Sequence, residues 1–546
     1  MGAVGTHLRG PALDVLLLVE RGEVPKAGAH ALSVYPLLHA AGGLGSAPAG
    51  LQVESILPPY VGLVVDARVE EVRVWNDYVG VGRVYFAEDS DAVYVGSRTG
   101  LIQLASGRFT DVDEQALAIF GAAGWILGDR TPFAGVRQLD AHGTIRVATG
   151  RGARVATTIV GGGSEVVLGA LPPDPRRVAE DLLGTARAIG AVAADRALTI
   201  GLSGGRDSRL VASLLARACV PFEMSTTETY PAETEVAKLV ASVVAPGRLL
   251  TVREKAEPRA PGDLEASAAA LVAHHEGMYE PAYVGRVQPR AMLLPQRAAS
   301  PSVGGAAGEL AHGHYYHPLA ESSLLALTSV QAVAHLVKRT TTALMFTDAG
   351  LDALRDHMNA LGQEASAHGF EGAKVLDWFY LRERLRRWSG LGDVARWNIA
   401  PLASAAFGVP ALAQSVPSAL ASSLHRELIE VLQPALAGVP FFKATGAAVR
   451  PTPGRPPLPV SPELYDRLLS GPQDSVVNRE RVRLALDQAK AGTASGLDEA
   501  VVRRALWLLE TRELAARMRR TARELGPSVP RGGAIARVVE RLGARD

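Results

Sequence analysis

Ser203-Gly204-Gly205-Arg206-Asp207-Ser208 places two hydroxyls, two adjacent glycines and a carboxylate within six consecutive positions. The hexapeptide lies between an apolar strand-like run at 197–200 and a helix-like run at 209–218. Paired glycines let backbone come close to an anion and point successive amides at it. The first turn of the following helix adds unpaired N–H groups and a positive dipole end. Leu202, Ser203, Gly204, Gly205 and Ser208 are therefore candidate phosphate contacts, and Asp207 is a candidate ligand for a divalent cation. A second reading uses the same residues: Gly201-Leu202-Ser203-Gly204-Gly205 fits G-x-S-x-G, the nucleophile elbow of α/β-hydrolases. That fold needs several strands of the same sheet before the elbow and an oxyanion loop upstream. The upstream glycine cluster, Gly161-Gly162-Gly163, lacks the preceding His, and the elbow leaves Asp207 and Ser208 without a task.

These residues need a sheet edge and a helix start to hold them. At 546 residues the chain is long enough for two domains. Residues 50–168 contain short β-like runs at 63–65, 84–86, 92–95, 144–148 and 154–160, separated by turn residues. Three prolines at 172–175 break the pattern, which sets a boundary between domains at 1–170 and 176–546. Beyond it, strand alternates with helix, as a parallel sheet requires, and after Leu319 the pattern is almost wholly helical. The expected class is α/β, with a β-rich α+β sandwich first and a parallel-sheet domain with a helical C-terminal half second.

A net charge of +1 offers no basic field for nucleic acid. The run Val15-Leu16-Leu17-Leu18-Val19 is cut by Glu20-Arg21, so no membrane span is expected, and the N-terminus has no signal-peptide pattern. The expected location is cytoplasmic. One cysteine, Cys219, excludes intrachain disulfides and C-x-x-C chemistry, and reads as a small core residue of the helix after the loop.

The hexapeptide resembles the pyrophosphate loop of the ATP pyrophosphatase superfamily, and other segments narrow the resemblance to its asparagine synthetase and β-lactam synthetase branch. Phe222-Glu223-Met224-Ser225-Thr226-Thr227 occupies the place of that branch's second strand, whose end packs against adenine; the resemblance makes Ser225, Thr226 and Thr227 nucleotide contacts. Gly304-Gly305-Ala306-Ala307-Gly308-Glu309-Leu310-Ala311-His312-Gly313 is similar to the family stretch G-E-G-x-D-E-L-F-G-G, with Gly304, Glu309, Leu310 and Gly313 matching. The family's second magnesium-holding acid is Gly308 here. Glu309 or a water is left to replace it, or Asp207 and the ATP phosphates hold the ion alone. Gly305 stands where β-lactam synthetases carry a catalytic tyrosine, so that proton-abstracting dyad is not expected. Phe441-Phe442-Lys443, before a Pro/Gly-rich segment, resembles the family's reach of a lysine to the reacting centre, where an ammonium steadies pyrophosphate and a tetrahedral oxyanion.

The first domain is similar to class II glutamine amidotransferase domains through Asn76-Asp77-Tyr78-Val79-Gly80, Val84-Tyr85-Phe86, Tyr94-Val95-Gly96-Ser97 and Gly135-Val136-Arg137-Gln138-Leu139 with His142-Gly143. The resemblance implies an Ntn-like sandwich. Working members carry a nucleophilic cysteine after the initiator Met; Gly2 takes that place here, and the nearest hydroxyl is Thr6, so glutamine hydrolysis is not expected.

His312, His314 and His317 have spacing that could bind a transition metal, line a substrate pocket or decorate a loop. Arg382, Arg384, Arg386 and Arg387 follow the helix of the resembled family and read as a solvated face with Glu383 pairing, or as contacts to phosphate or a carboxylate. The resulting expectation is an ATP-dependent amide ligase using Mg2+, with Lys443 and Glu309 catalytic, a small-molecule or peptide carboxylate and an amine as substrates, and no glutamine. An intramolecular lactam- or macrolactam-forming cyclase, a silent nucleotide-binding scaffold and a serine hydrolase using Ser203 stand as alternatives. A homodimer is left open.

Overall fold

The computed structural model describes residues 4–9, 14–19, 31–33, 58, 60–66, 71–89, 92–96, 98–149, 155–160, 174–193, 197–254, 263–278, 302–340, 347–388, 398–442, 458–470 and 476–525. Gly2, Gly161 to Gly163, the proline boundary at 172 and 173, and Lys443 lie outside them.

The chain is a mixed α/β protein with antiparallel sheets before residue 174 and a parallel sheet after it. β1 (Val4–Arg9) and β2 (Asp14–Val19) pair antiparallel with each other. A five-stranded sheet follows the order β10-β9-β5-β4-β3, from β3 (Ala31–Ser33), β4 (Val61–Asp66), β5 (Glu71–Asn76), β9 (Thr144–Thr149) and β10 (Val155–Val160). A three-stranded sheet joins β7 (Val93–Gly96), β6 (Tyr85–Glu88) and β8 (Arg137–Gln138). Val72 and Val74 of β5, Phe86 of β6 and Ile145 and Val147 of β9 meet in one buried cluster with Leu139, so the two sheets share a core as a sandwich does. Two helices also stand here that the β-like runs gave no sign of: α1 (Thr99–Ser106) and α2 (Glu114–Ala123), the latter capped by the Asp113 carboxylate and closed by Gly124 at φ 81°.

After residue 174 the sheet order is β13-β12-β11-β14-β15, all pairs parallel: β11 (Leu198–Gly201), β12 (Phe222–Glu228), β13 (Leu250–Glu254), β14 (Ser302–Val303) and β15 (Asn398–Ile399). The helices α3 (Pro175–Val192), α4 (Asp207–Arg217), α5 (Pro231–Val244) and α6 (Leu264–His275) alternate with the early strands. From β11 the chain builds outward through β12 and β13, then returns to the other side of β11 for β14 and β15. The strand order therefore reverses between β11 and β14, and such a reversal opens a crevice outside the carboxyl ends of the strands. Past Leu319 the described chain is helical apart from the two residues of β15 and connecting turns.

The two parts do not have separate interiors. Tyr78, Val79, Trp125 and Leu127 from the first part are buried in one cluster with Leu182, Ile200, Leu210, Phe379 and Leu428 of the second. Phe120 stacks on Trp507 with ring centroids 6.5 Å apart. The arginines at 382–387 belong to this junction, on a π-helical stretch, Tyr380–Leu385, that leads into Arg386. Arg382 Nη2 and Arg386 Nη1 bond the Asp140 carboxylate at 3.0 and 2.8 Å, and Arg386 and Arg387 both donate to the Gly128 carbonyl. Glu383 accepts the Gly128 N–H at 3.0 Å. Arg382, Arg386 and Arg387 are buried, which overturns the solvated face, whereas the expected carboxylate contact is present at Arg382 and Arg386, and Glu383 lies 3.9 Å from Arg386 and 3.7 Å from Arg387. Burial makes such charges costly unless partnered; Glu364 and Glu383 are partners near in sequence, while Asp140 and Gly128 lie some 250 residues away.

Cys219 also differs from expectation. It is exposed and adopts φ 58°, because it closes α4: its N–H bonds Ala216 O and Val220 N–H bonds Leu215 O. Among the described residues, no helix is long and apolar enough to cross a membrane.

Candidate phosphate-binding site at the β11 and β14 carboxyl ends

β11 is short because its apolar alternation (Leu198 and Ile200 buried) ends at Gly201, and Leu202 then anchors the turn. Leu202 is buried and donates its N–H to the Ser225 carbonyl of β12 at 2.8 Å. The turn is braced by its own hydroxyls. Ser208 Oγ accepts the Ser203 N–H at 3.0 Å, the two Oγ atoms are 3.0 Å apart, and Gly205 N–H donates to Ser203 Oγ at 3.1 Å. α4 then starts at Asp207 with no side chain capping its first turn, which leaves the helix's leading amides for another acceptor.

Three neighbours hold the turn from outside. Arg209, fully buried, donates to Gly204 O (3.2 Å), Val439 O (2.6 Å) and Pro440 O (3.0 Å), and its guanidinium lies 4.7 Å from the Phe441 ring centre. Phe442 N–H donates to Gly204 O at 2.9 Å. Glu233, in the first turn of α5, accepts the Gly204 N–H, and burial raises its carboxyl above the usual range against that bond. Gly204 is required here: a Cβ would lie 2.9 Å from Phe442 Cβ and 3.1 Å from Glu233 O.

Of the three candidate adenine contacts, the strand alternation puts Ser225 and Thr227 on one face and buries Thr226 on the other. Gly304 follows β14 and ties it to β15 through its N–H to Ile399 O, 2.9 Å. The turn after it runs directly beneath Asp207. A Cβ at Gly305 would come within 2.7 Å of Asp207 Cβ, and one at Gly308 within 2.2 Å of Asp207 Oδ1. Between them Ala307 sits at φ 75°, a strained conformation for a residue with a side chain.

Asp207 is partly buried and its two oxygens point towards two imidazoles. His425 Nε2 is 2.7 Å from Oδ1 and His312 Nε2 is 3.8 Å from Oδ2. The angle at His425 is poor, so Asp207 Oδ1 and both His425 nitrogens lack a well-aligned hydrogen-bond partner. Burial pushes Asp207 towards neutrality, but His312 and His425 outweigh it and hold the carboxyl well below the usual range. Burial lowers His425, which keeps its ring a neutral donor. Glu309 is raised by burial and by the Asp207 charge, and accepts from the Tyr380 hydroxyl, while its Oε2 is buried with no partner. Arg206 reaches across to Ser422 Oγ.

The geometry does not fit a magnesium ion at Asp207. Such an ion requires near-octahedral oxygens at about 2.0–2.1 Å and usually keeps several waters. Here one carboxylate oxygen faces the Gly308 backbone and the His425 ring, and among the described residues no group of three or more His, Cys, Asp or Glu side chains is placed to hold a metal. The same holds for the three histidines of 312–317. His312 faces Asp207, His314 packs on Tyr380 with ring centres 4.8 Å apart, and His317 is exposed.

The structure thus gathers Leu202 to Gly205, Asp207, Ser208, Ser225, Gly304 and Glu309 at one end of the parallel sheet. Lys443 lies outside the described residues, but the residue before it is bonded to the glycine turn. Sequence reasoning missed Arg209, Glu233, Tyr380 and His425. Their only signal was polarity within apolar helical stretches. No protein-family model matches the chain, and no curated protein matches it either.

Proposed function

We propose that the chain is an ATP-dependent amide-bond-forming ligase, similar in design to asparagine and β-lactam synthetases, that works without glutamine. The observation that carries this reading is the placement of a Ser-Gly-Gly turn, followed by an uncapped helix start, where the parallel strand order reverses. Helix amides and a glycine turn at that place suit a polyphosphate.

ATP would enter as its magnesium complex, a substrate bringing its own cation. A carboxylate oxygen of the acyl substrate forms a bond to the α-phosphorus, the bond from that phosphorus to the β-phosphate bridging oxygen breaks, and pyrophosphate leaves on the turn. The Ser203 and Ser208 hydroxyls and the first amides of α4 receive its charge. The amine then adds to the acyl carbon and AMP departs. Glu309, made more basic by burial and by Asp207, is the candidate acceptor of the amine proton, with Tyr380 steadying its other oxygen. Lys443 would neutralise charge developing on the pyrophosphate and on the tetrahedral intermediate. The sole cysteine closes α4 rather than lying in the antiparallel sandwich, consistent with an amine supplied by the substrate itself.

The hydrolase alternative is weakened by Ser203, whose Oγ is engaged by Ser208 and Gly205 while His312 and His425 turn to Asp207. The test is pyrophosphate release from ATP on addition of candidate carboxylates, with the acyl-adenylate identified by mass. An ester hydrolysis that needs no ATP and disappears in Ser203→Ala would refute the ligase reading.

A further inference from the structure

The surroundings of Asp207 go further than the phosphate-loop reading, on which the following rests. We infer that this loop takes its polyphosphate without a protein-held divalent cation, the imidazoles of His425 and His312 filling the place beside Asp207 that such a cation would occupy.

Four observations converge. His425 Nε2 stands 2.7 Å from Asp207 Oδ1, and His312 Nε2 is 3.8 Å from Oδ2, so both oxygens face imidazole nitrogens, at positions a small ring rotation would turn into hydrogen bonds. His425 is fully buried on the helix Ser423–Leu432, edge-on to Phe407 at 5.7 Å between ring centres, and has no room to swing out for a hydrated ion. Gly308 supplies no carboxylate, and a side chain there could not be added without displacing Asp207, since its Cβ would lie 2.2 Å from Oδ1. Gly305 closes the same wall from the other side, its Cβ position 2.7 Å from Asp207 Cβ. A cation would thus meet one carboxylate, shielded, in place of an oxygen cage. An imidazole N–H can perform the one service a structural ion would give Asp207: it holds the carboxylate away from the incoming phosphates, so that like charges do not face each other. The polyphosphate is then bound by backbone amides, hydroxyls and the α4 dipole. Any magnesium present stays on the phosphates, bound by them and by water.

The experiment uses the full chain with two probes, Mn2+ alone and inorganic pyrophosphate. Mn2+ binding is followed by electron paramagnetic resonance and pyrophosphate binding by calorimetry, in EDTA and in magnesium buffer. The expected result is no Mn2+ retained by the protein alone, and pyrophosphate affinities in the two buffers within about threefold. His425→Gln, which keeps a donor, retains binding in EDTA, whereas His425→Leu, which keeps volume and loses the donor, weakens it by about tenfold or more. Stoichiometric Mn2+ binding that is lost in Asp207→Asn overturns the inference, as does pyrophosphate binding that needs magnesium in the wild type and loses that requirement in Asp207→Asn. Wild-type affinity in a folded His425→Leu removes His425 from the role. If His425→Leu does not fold, the wild-type titrations still decide. Pyrophosphate binding in neither buffer overturns the phosphate-loop reading itself, a result distinct from magnesium-dependent binding.

Discussion

Phe442 donates its backbone N–H to the carbonyl of Gly204 at 2.9 Å, tying the segment that leads into Lys443 onto the glycine turn. On the ligase reading, in which the Lys443 ammonium acts on charge that develops during reaction, Lys443→Ala is expected to lower turnover by roughly two to three orders of magnitude with little change in ATP affinity. Lys443→Arg should recover only part. Steady-state kinetics beside equilibrium ATP binding separates this from a ground-state phosphate contact, which would raise Kd instead.

Arg209 bridges Gly204, Val439 and Pro440 from a fully buried position, so its removal takes a donor from the Val439 and Pro440 carbonyls and leaves the Gly204 carbonyl with the Phe442 N–H. Arg209→Ala should cost about 2–4 kcal/mol in denaturant unfolding. Arg209→Lys should rescue little of it, since a single ammonium cannot span the fork. A loss below about 0.5 kcal/mol in either variant would show that the bridge is dispensable.

An acid at the Gly308 position should harm the protein. Gly308→Asp forces a Cβ into contact with Asp207 Oδ1 and sets two carboxylates against each other. The expected outcome is destabilisation of about 2 kcal/mol or more and no gain in Mn2+ binding. Gain of a metal site with unchanged stability would contradict it.

Glu233 already occupies the Gly204 N–H. An incoming phosphate must displace it, so Glu233→Gln should tighten pyrophosphate binding by roughly threefold to tenfold, as a like charge leaves the site. Calorimetry that finds weaker binding would instead make Glu233 part of the productive complex.

His314 is held neutral by burial, which brings its ring down to about 4. The unfolded chain binds that proton near pH 6.5, so the folded state is at full stability above about pH 6.5 and loses it as the pH falls towards about 4. Between about pH 7.5 and pH 5 the wild type should lose about 2 kcal/mol more than His314→Phe, which keeps the packing on Tyr380 and cannot titrate. Parallel pH profiles in denaturant titrations would remove His314 from the acid response.

What could be read from the sequence was what depends on neighbours along the chain. β11, the turn and α4 follow one another within twenty residues, and the change from apolar alternation to glycine to helical spacing marks each border. β12 and α5 show the same signature, with Pro231 at the helix start. α1 and α2 were hidden in a region of short apolar runs, where a helix and a buried strand look alike. Cys219 looked like core because apolar residues precede it, whereas the closing turn of α4 exposes it. The roles of His425, Glu233 and the arginines at 382–387 are set by partners distant in sequence: Asp207, Gly204, Asp140 and Gly128. Helical spacing reaches the pairing of Glu383 with Arg386 and Arg387, and none of these distant contacts.

One residue, Gly128, is gripped by Glu383 on its N–H and by Arg386 and Arg387 on its carbonyl, and the apolar residues around it continue across the same junction. The glycine is at φ 72°, so the conformation that presents both groups is one that a residue with a side chain would resist. Separating the two parts would expose the apolar residues that meet across the junction and take from Glu383, Arg386 and Arg387 their partners at Gly128. Thermal unfolding should consequently run as a single cooperative melt, and a chain severed between the sheets should stay associated until that melt.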